Sequence, residues 1–176
     1  ILNRLNIDDM LVTKGVVDAL DHSSPKFAVG GKLGLDCTGD EITELGIILL
    51  KDNELLERMK AITSEVKDLK QYFTDTKNPI AVISVEKTRN QKYLFEDLKP
   101  LFEHIKILII VENNKNDVNN SYMLVWRVAN NIDSNRDLFI DGHTMCLDAT
   151  NKNAFDNFNR RWPDDVDCTK EVLDSL

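Results

Sequence analysis

Ile80-Ala81-Val82-Ile83-Ser84-Val85 and Ile107-Leu108-Ile109-Ile110-Val111 decide the fold. Both runs are rich in β-branched residues and lack the polar alternation of a half-exposed strand. Asn78-Pro79 opens the first and Glu112-Asn113-Asn114 closes the second, so turn signals bound them. Strands of this kind are covered on both faces. Between them Tyr93, Leu94, Leu98, Leu101, Phe102 and Ile105 form a helical stripe, with Pro100 at a kink or at the first turn of a new segment. Two such strands with a helix between them suggest a parallel sheet covered by helices. The expected fold is α/β, a three-layer module with a mostly parallel sheet.

Upstream, Leu55, Met59, Ile62, Val66, Leu69 and Phe73 recur at alternating four- and three-residue steps. That spacing predicts one helix over 53–73, its apolar face packed on the sheet or used as a subunit seam. Downstream, Glu112 to Asp117 is a polar loop at the carboxyl end of a strand, where open α/β sheets hold ligands. Asn119 or Asn120 caps the next helix, which carries Met123, Leu124, Trp126, Arg127, Val128 and Ala129. The chain has neither G-x-G-x-x-G nor G-x-x-x-x-G-K-[ST], so nucleotide binding of the Rossmann or P-loop kind has no support.

The 176 residues suffice for one domain, or one domain with an arm, and 42% hydrophobic with 30% charged residues is a globular composition. With 22 basic and 30 acidic residues the net charge is −8, which speaks against a surface that tracks phosphates; nucleic acid is not an expected partner. No apolar run approaches the ~20 residues of a membrane helix. The 3 cysteines stand far apart and signal neither a disulfide framework nor a zinc knuckle, which suits a reducing cytoplasm. His104 and His143 stand alone, and no metal is expected on them.

The loop Leu20-Asp21-His22-Ser23-Ser24-Pro25 leads into Gly30-Gly31-Lys32-Leu33-Gly34-Leu35-Asp36-Cys37-Thr38, and its tail returns as Met145-Cys146-Leu147-Asp148-Ala149-Thr150. Such an echo points to a duplicated unit. Met10-Leu11-Val12-Thr13 reads as a strand or a short helix, and the glycines end the loop in a short strand. Asp18, Asp21 and His22 are either a metal or acid–base cluster or, more plainly, caps of loop turns.

These segments resemble the C-terminal region of UbiD-family decarboxylases, in which an LD-x-x-SP run leads into G-x-K-[LM]-G-[IL]-DAT. Val125 to Asp137 is similar to the family's tryptophan helix, matching at Trp126, Ala129, Asp133, Arg136 and Asp137 and departing at Asn130-Asn131 and Ser134. Leu147 to Lys152, Arg160 to Asp165 and a closing helix from Thr169 resemble the family's tail. The resemblance implies that 1–40 is the tail of a preceding catalytic body, and that 41–176 is a C-terminal α/β domain, a degenerate second copy. It also implies a fragment of a longer carboxy-lyase acting on an aromatic or unsaturated acid such as a quinone precursor. In such an enzyme prenylated FMN and a divalent metal serve the upstream part.

None of the family's catalytic or cofactor motifs is matched, so no catalytic, cofactor or metal residue is expected in this chain. The candidate functional loop is Asp21, His22, Lys32 and Asp36. Arg136 and Asp137 are expected to fix the helix-to-strand turn by an ion pair or backbone bonds, and Trp126 and Trp162 to anchor packing. The expected partners are the remainder of the polypeptide and further copies of it. The alternative is a non-catalytic assembly or small-molecule-binding module.

Overall fold

The computed structural model describes residues 1–114, 116–164, 171, 174 and 175, so the closing helix expected from Thr169 lies outside the described residues. The strands are β1 (Met10–Val16), β2 (Val29–Leu35), β3 (Val66–Tyr72), β4 (Ile80–Val85), β5 (Ile107–Glu112), β6 (Leu138–Asp141) and β7 (Thr144–Asp148). The α-helices are α1 (Asp52–Ile62), α2 (Gln91–Asp97), α3 (Ser121–Asn131) and the short α4 (Ser134–Asp137). β1 and β2 form an antiparallel hairpin of their own, and the other five strands form one sheet in the order β3-β4-β5-β7-β6. Its central strands β4, β5 and β7 are parallel, and β3 and β6 flank them antiparallel.

The two apolar runs sort their side chains by the two-residue period of a strand. Ala81, Ile83 and Val85 with Leu108 and Ile110 face a core shared with Leu55 and Met59 of α1, Leu94 and Phe95 of α2, and Leu98 just after it. On the other face Val82 and Val111 meet Val118, Leu124 of α3 and Ala149. These are the three layers that the runs predict. A third cluster closes the amino end of the parallel strands, where Leu5 and Ile7 pack on Ile107 and Met145. Buried Asn78 fastens this segment, its Nδ2 donating to the carbonyls of Leu2 and Leu5 at 2.6 and 2.7 Å. No described helix is long and apolar enough to cross a membrane.

One sequence expectation fails. The helix predicted over 53–73 ends at Ile62, and Val66 to Tyr72 is the edge strand β3. Thr63 turns extended, at φ −146° and ψ 141°. The register of β3 against β4 then shifts between Val66 and Asp68, and this bulge lets Val66 and Leu69, three apart, both face the core. A bulged strand thus imitates a helical step. The other helical stripe also divides: α2 stops at Asp97, and Pro100 stands near the start of a 3₁₀ segment, Lys99–His104.

The stripe is therefore not one buried face. Leu55 is fully buried, whereas Ile62 is 40% exposed. Leu55→Ala should cost about 2–5 kcal/mol and Ile62→Ala about 1 kcal/mol or less, read from urea midpoints at equal m-value. Equal losses at the two sites would contradict this division.

Candidate functional site

Asp21 and His22 sit in a corner that joins segments more than a hundred residues apart. Asp21 Oδ1 accepts from the amide and hydroxyl of Ser23 at 2.8 and 2.6 Å, and Ser24 Oγ lies 2.9 Å from the carbonyls of Asp21 and Lys26. Asp18 likewise caps a turn, accepting from Leu20 N. Arg136 donates to the Ser23 carbonyl at 2.9 Å and Arg160 to the Ser24 carbonyl at 2.8 Å. The His22 ring meets Trp162 edge-on, with centroids 4.8 Å apart. The plainer reading of the loop, turn-capping, describes these contacts.

β2 docks on the same corner. The Gly31 amide donates to Asp133 Oδ2 at 2.7 Å. A Cβ on Gly31 would stand 2.5 Å from Asn135 Nδ2, and one on Gly30 2.7 Å from Asp133 Oδ2, so only glycine permits this approach. Lys32 is exposed on β2. Exposed Asp36 accepts from the Thr38 hydroxyl and amide, which hold its carboxyl below the usual range. Among the described residues no hydrogen bond or ion pair joins Asp21 or His22 to Lys32 or Asp36, so the four do not converge.

Behind the corner lies a buried ion network. Arg136 grips Asp137 with two bonds of 2.7 Å, and Asp137 Oδ2 also accepts from the Asp133 amide at 2.7 Å. Lys152 Nζ lies 2.9 Å from Asp148 Oδ2 and 3.3 Å from Asp137 Oδ1, and donates to the Asp148 carbonyl at 2.7 Å. Nearby, buried Lys87 pairs with buried Asp156 at 2.6 Å and donates to Thr150 Oγ1 and the Asn151 carbonyl at 2.9 and 2.8 Å. Burial opposes ionisation of Asp148, yet the charges of Lys152 and Lys87 hold its carboxyl below the usual range. Burial pushes Asp137 up, and burial also raises the Cys146 thiol well above its ordinary value. Sequence reasoning anticipated the Arg136–Asp137 pair but gave Lys87, Lys152 and Asp156 no role. The available signal was Lys152 four residues after Asp148 within Leu147-Asp148-Ala149-Thr150-Asn151-Lys152.

At the carboxyl end of the parallel strands, the loop after β5 borders a polar cleft of about 480 Å³ lined by Glu86, Lys87, Glu112, Asn113, Asn114 and Asn153. Two side-chain amides of this loop are tied inward: Ser84 Oγ donates to Asn113 Oδ1 at 3.1 Å, and Asn116 Nδ2 donates to the Glu112 carbonyl at 2.7 Å. Asn120 rather than Asn119 caps α3, accepting from the Met123 amide at 3.2 Å. A second, apolar groove of about 290 Å³ runs between α3 and the sheet, lined by Tyr72, Phe73, Ile80, Val82, Ile109 and Val125 among others. Trp162 packs on His22 and Phe158 as expected, but Trp126 stays 45% exposed on α3.

The network defines a measurable pH response. A carboxyl held low in the folded state, as Asp148 is, adds stability that is whole above the unfolded value of about 3.9 and is lost as pH falls through the lower folded value. Lys152→Met should cost about 3–5 kcal/mol at pH 7, because Asp148 is left buried without its nearest cation. Between pH 7 and pH 5, where Asp148 gives the parent no pH response, the variant should gain stability as its Asp148 takes up a proton. Urea midpoints across that range check both outcomes.

Residues 47–162 match the family model for the 3-octaprenyl-4-hydroxybenzoate carboxy-lyase C-terminal domain. Two Helicobacter pylori proteins of unassigned function are similar along the whole chain, 45% identical in strain J99 and 44% in strain 26695. The chain spans 29% of their length. Among solved structures, an evolved dimeric form of the UbiD-class enzyme HmfF from Pelotomaculum thermopropionicum, in complex with prFMN, aligns with TM-score 0.53 at 22% identity, over 71% of this chain and 28% of that one. Sedimentibacter hydroxybenzoicus vanillic acid decarboxylase in open form aligns with TM-score 0.52 at 17% identity, over 69% of this chain and 30% of that one. At these identities the structures establish a shared fold. Because that family model covers residues 47–162, well over half of the chain, the chain belongs to the UbiD family of carboxy-lyases, as a C-terminal region.

Proposed function

We propose that this chain is the C-terminal part of a cytoplasmic UbiD-type carboxy-lyase that decarboxylates an aromatic or α,β-unsaturated acid, a hydroxybenzoate-like quinone precursor, and that within it the chain serves assembly rather than chemistry. The observation that carries this reading is the fate of the charged motif residues. Asp133, Arg136, Asp137, Asp148 and Lys152 bind one another and the backbone, and leave little free valence for a substrate.

The described residues also support a flavin site that lies elsewhere. No group of three His, Cys, Asp or Glu side chains among them could hold a metal ion. Prenylated FMN with its divalent metal therefore belongs, in this reading, to the rest of the longer polypeptide. When bound there it supplies the electron sink for carbon dioxide loss. Incubated with prenylated FMN, Mn²⁺ and a panel of aromatic acids, the 176-residue chain should release no carbon dioxide, while a polypeptide extended upstream to the length of the relatives should. Turnover by the short chain would refute the assignment of roles.

Assembly is assigned to α3 instead of the stripe at 55–73. The exposed positions of α3 are Ser121, Tyr122, Met123, Val125, Trp126 and Ala129, all uncharged in a chain of net charge −8. Tyr122 is 80% exposed, Val125 70% and Trp126 45%, and Phe73, 54% exposed with φ at 56°, lines the apolar groove together with Val125. A bulky side chain in the left-handed region is uncommon.

Together these side chains offer roughly 600 Å² of apolar surface, at the upper end of what a monomer usually leaves exposed. A two-fold contact through α3 would bury about 1,200 Å², the lower limit of a stable interface. Sedimentation velocity should show the chain associating, and Val125→Asp should give a folded, smaller species. A chain that stays monomeric at all concentrations would remove this part of the proposal.

A further inference from the structure

Residues 33–38 repeat residues 145–150 in geometry as well as in letters. After β7, Asp148 Oδ1 accepts from the Thr150 amide and hydroxyl at 3.0 and 2.6 Å; after β2, Asp36 Oδ1 accepts from the Thr38 amide and hydroxyl at 2.8 and 2.7 Å. Each strand is also the second of an antiparallel hairpin in the same register. Leu147 faces Leu138 and Met145 faces Ile140, as Leu35 faces Met10 and Leu33 faces Val12.

The hairpins differ in what covers their second edge. β7 is flanked there by β5 in parallel, with the Met145 amide donating to the Lys106 carbonyl at 3.0 Å and the Ala149 amide to the Ile110 carbonyl at 2.9 Å. Among the described strands, β2 pairs with β1 alone. The Gly31 amide points to the free edge, because it donates to Asp133, and Val17 N donates to the Ala28 carbonyl on the hairpin side. Strand alternation then aims the amides of Leu33, Leu35 and Cys37 at the free edge as well. Those three are the counterparts of Met145, Leu147 and Ala149, which face β5. Leu147 is 8% exposed and Leu35 is 47% exposed.

We infer that the free edge of β2, from Leu33 to Cys37, is the docking edge for a parallel, continuously apolar strand of the β5 kind, supplied by a preceding α/β unit of the same polypeptide. This rests on reading residues 1–40 as the tail of such a unit. The relatives have room for one, since the chain accounts for 29% of their length. Asp133 caps Gly31 just before the ladder would begin, as β5 in the second copy pairs no further back than Met145. Asp40 stands at the offset of Lys152, so the first copy lacks the lysine that the second places beside its aspartate.

Amide exchange separates the outcomes. In the 176-residue chain the amides of Leu33 and Leu35 should exchange fast, and upstream extension to the length of the relatives should slow them by at least about a hundredfold. Alkylation of half-buried Cys37 by iodoacetamide should slow alongside, with buried Cys146 as the unreactive control. Leu35→Pro removes an edge amide and spares the hairpin bonds, so it should restore Cys37 reactivity in the extended protein and leave the melting of the short chain little changed. Equal exchange in the two proteins would overturn the inference. Protection that arises in the short chain alone as its concentration rises would overturn it too, by giving the edge to a second copy. Neither outcome depends on decarboxylation, so this inference can fail while the proposed function stands.

Discussion

Lys152 carries its ammonium into the solvent-inaccessible interior, and the rest of the architecture is arranged to make that tolerable. A lone buried cation costs several kcal/mol, a large share of a domain's stability of about 5–15 kcal/mol, so its partners must be in place when the chain folds. Asp148 arrives at the end of β7 and Asp137 at the end of α4. Satisfying the lysine therefore fixes the α3–α4 corner against the central sheet. Such a network adds little net stability over an apolar core of equal volume; in this chain we assign it the role of holding one geometry against others.

From that corner the order spreads outward. Arg136, held by Asp137, reaches the Ser23 carbonyl, and Asp133, capping α4, reaches the Gly31 amide. An isolated two-stranded hairpin is marginal in water. β1 and β2 persist because their backbone is bonded to this corner and because glycine lets the backbones touch. The motif residues that suggest chemistry by their types are thus the ones that join the hairpin to the sheet.

Features set by local pattern were legible in the sequence. Unbroken β-branched runs are stable only when covered on both faces, and β4 and β5 are so covered. The asparagine cap of α3 and the Arg136–Asp137 pair depend on near neighbours in the chain, and they too were legible. The stripe from Leu55 to Phe73 was not, because a bulge in β3 reproduces a helical spacing and only pairing with β4 distinguishes the two. Nothing local marks Lys87 as the partner of Asp156, 69 residues away, or tells that Asp21 and His22 stay apart from Lys32 and Asp36.

The sequence by itself determined the three-layer class, the parallel pairing of its two apolar strands, the family and the internal echo, because each is written in residue period or in contiguous motif. Tertiary structure alone decided where one helix gives way to an edge strand. It alone decided which charges are buried together, and that two hairpins of one geometry differ in having β5 beside only one of them. Burial and strand pairing are properties of what lies across a gap in space, and a linear pattern does not record its neighbour.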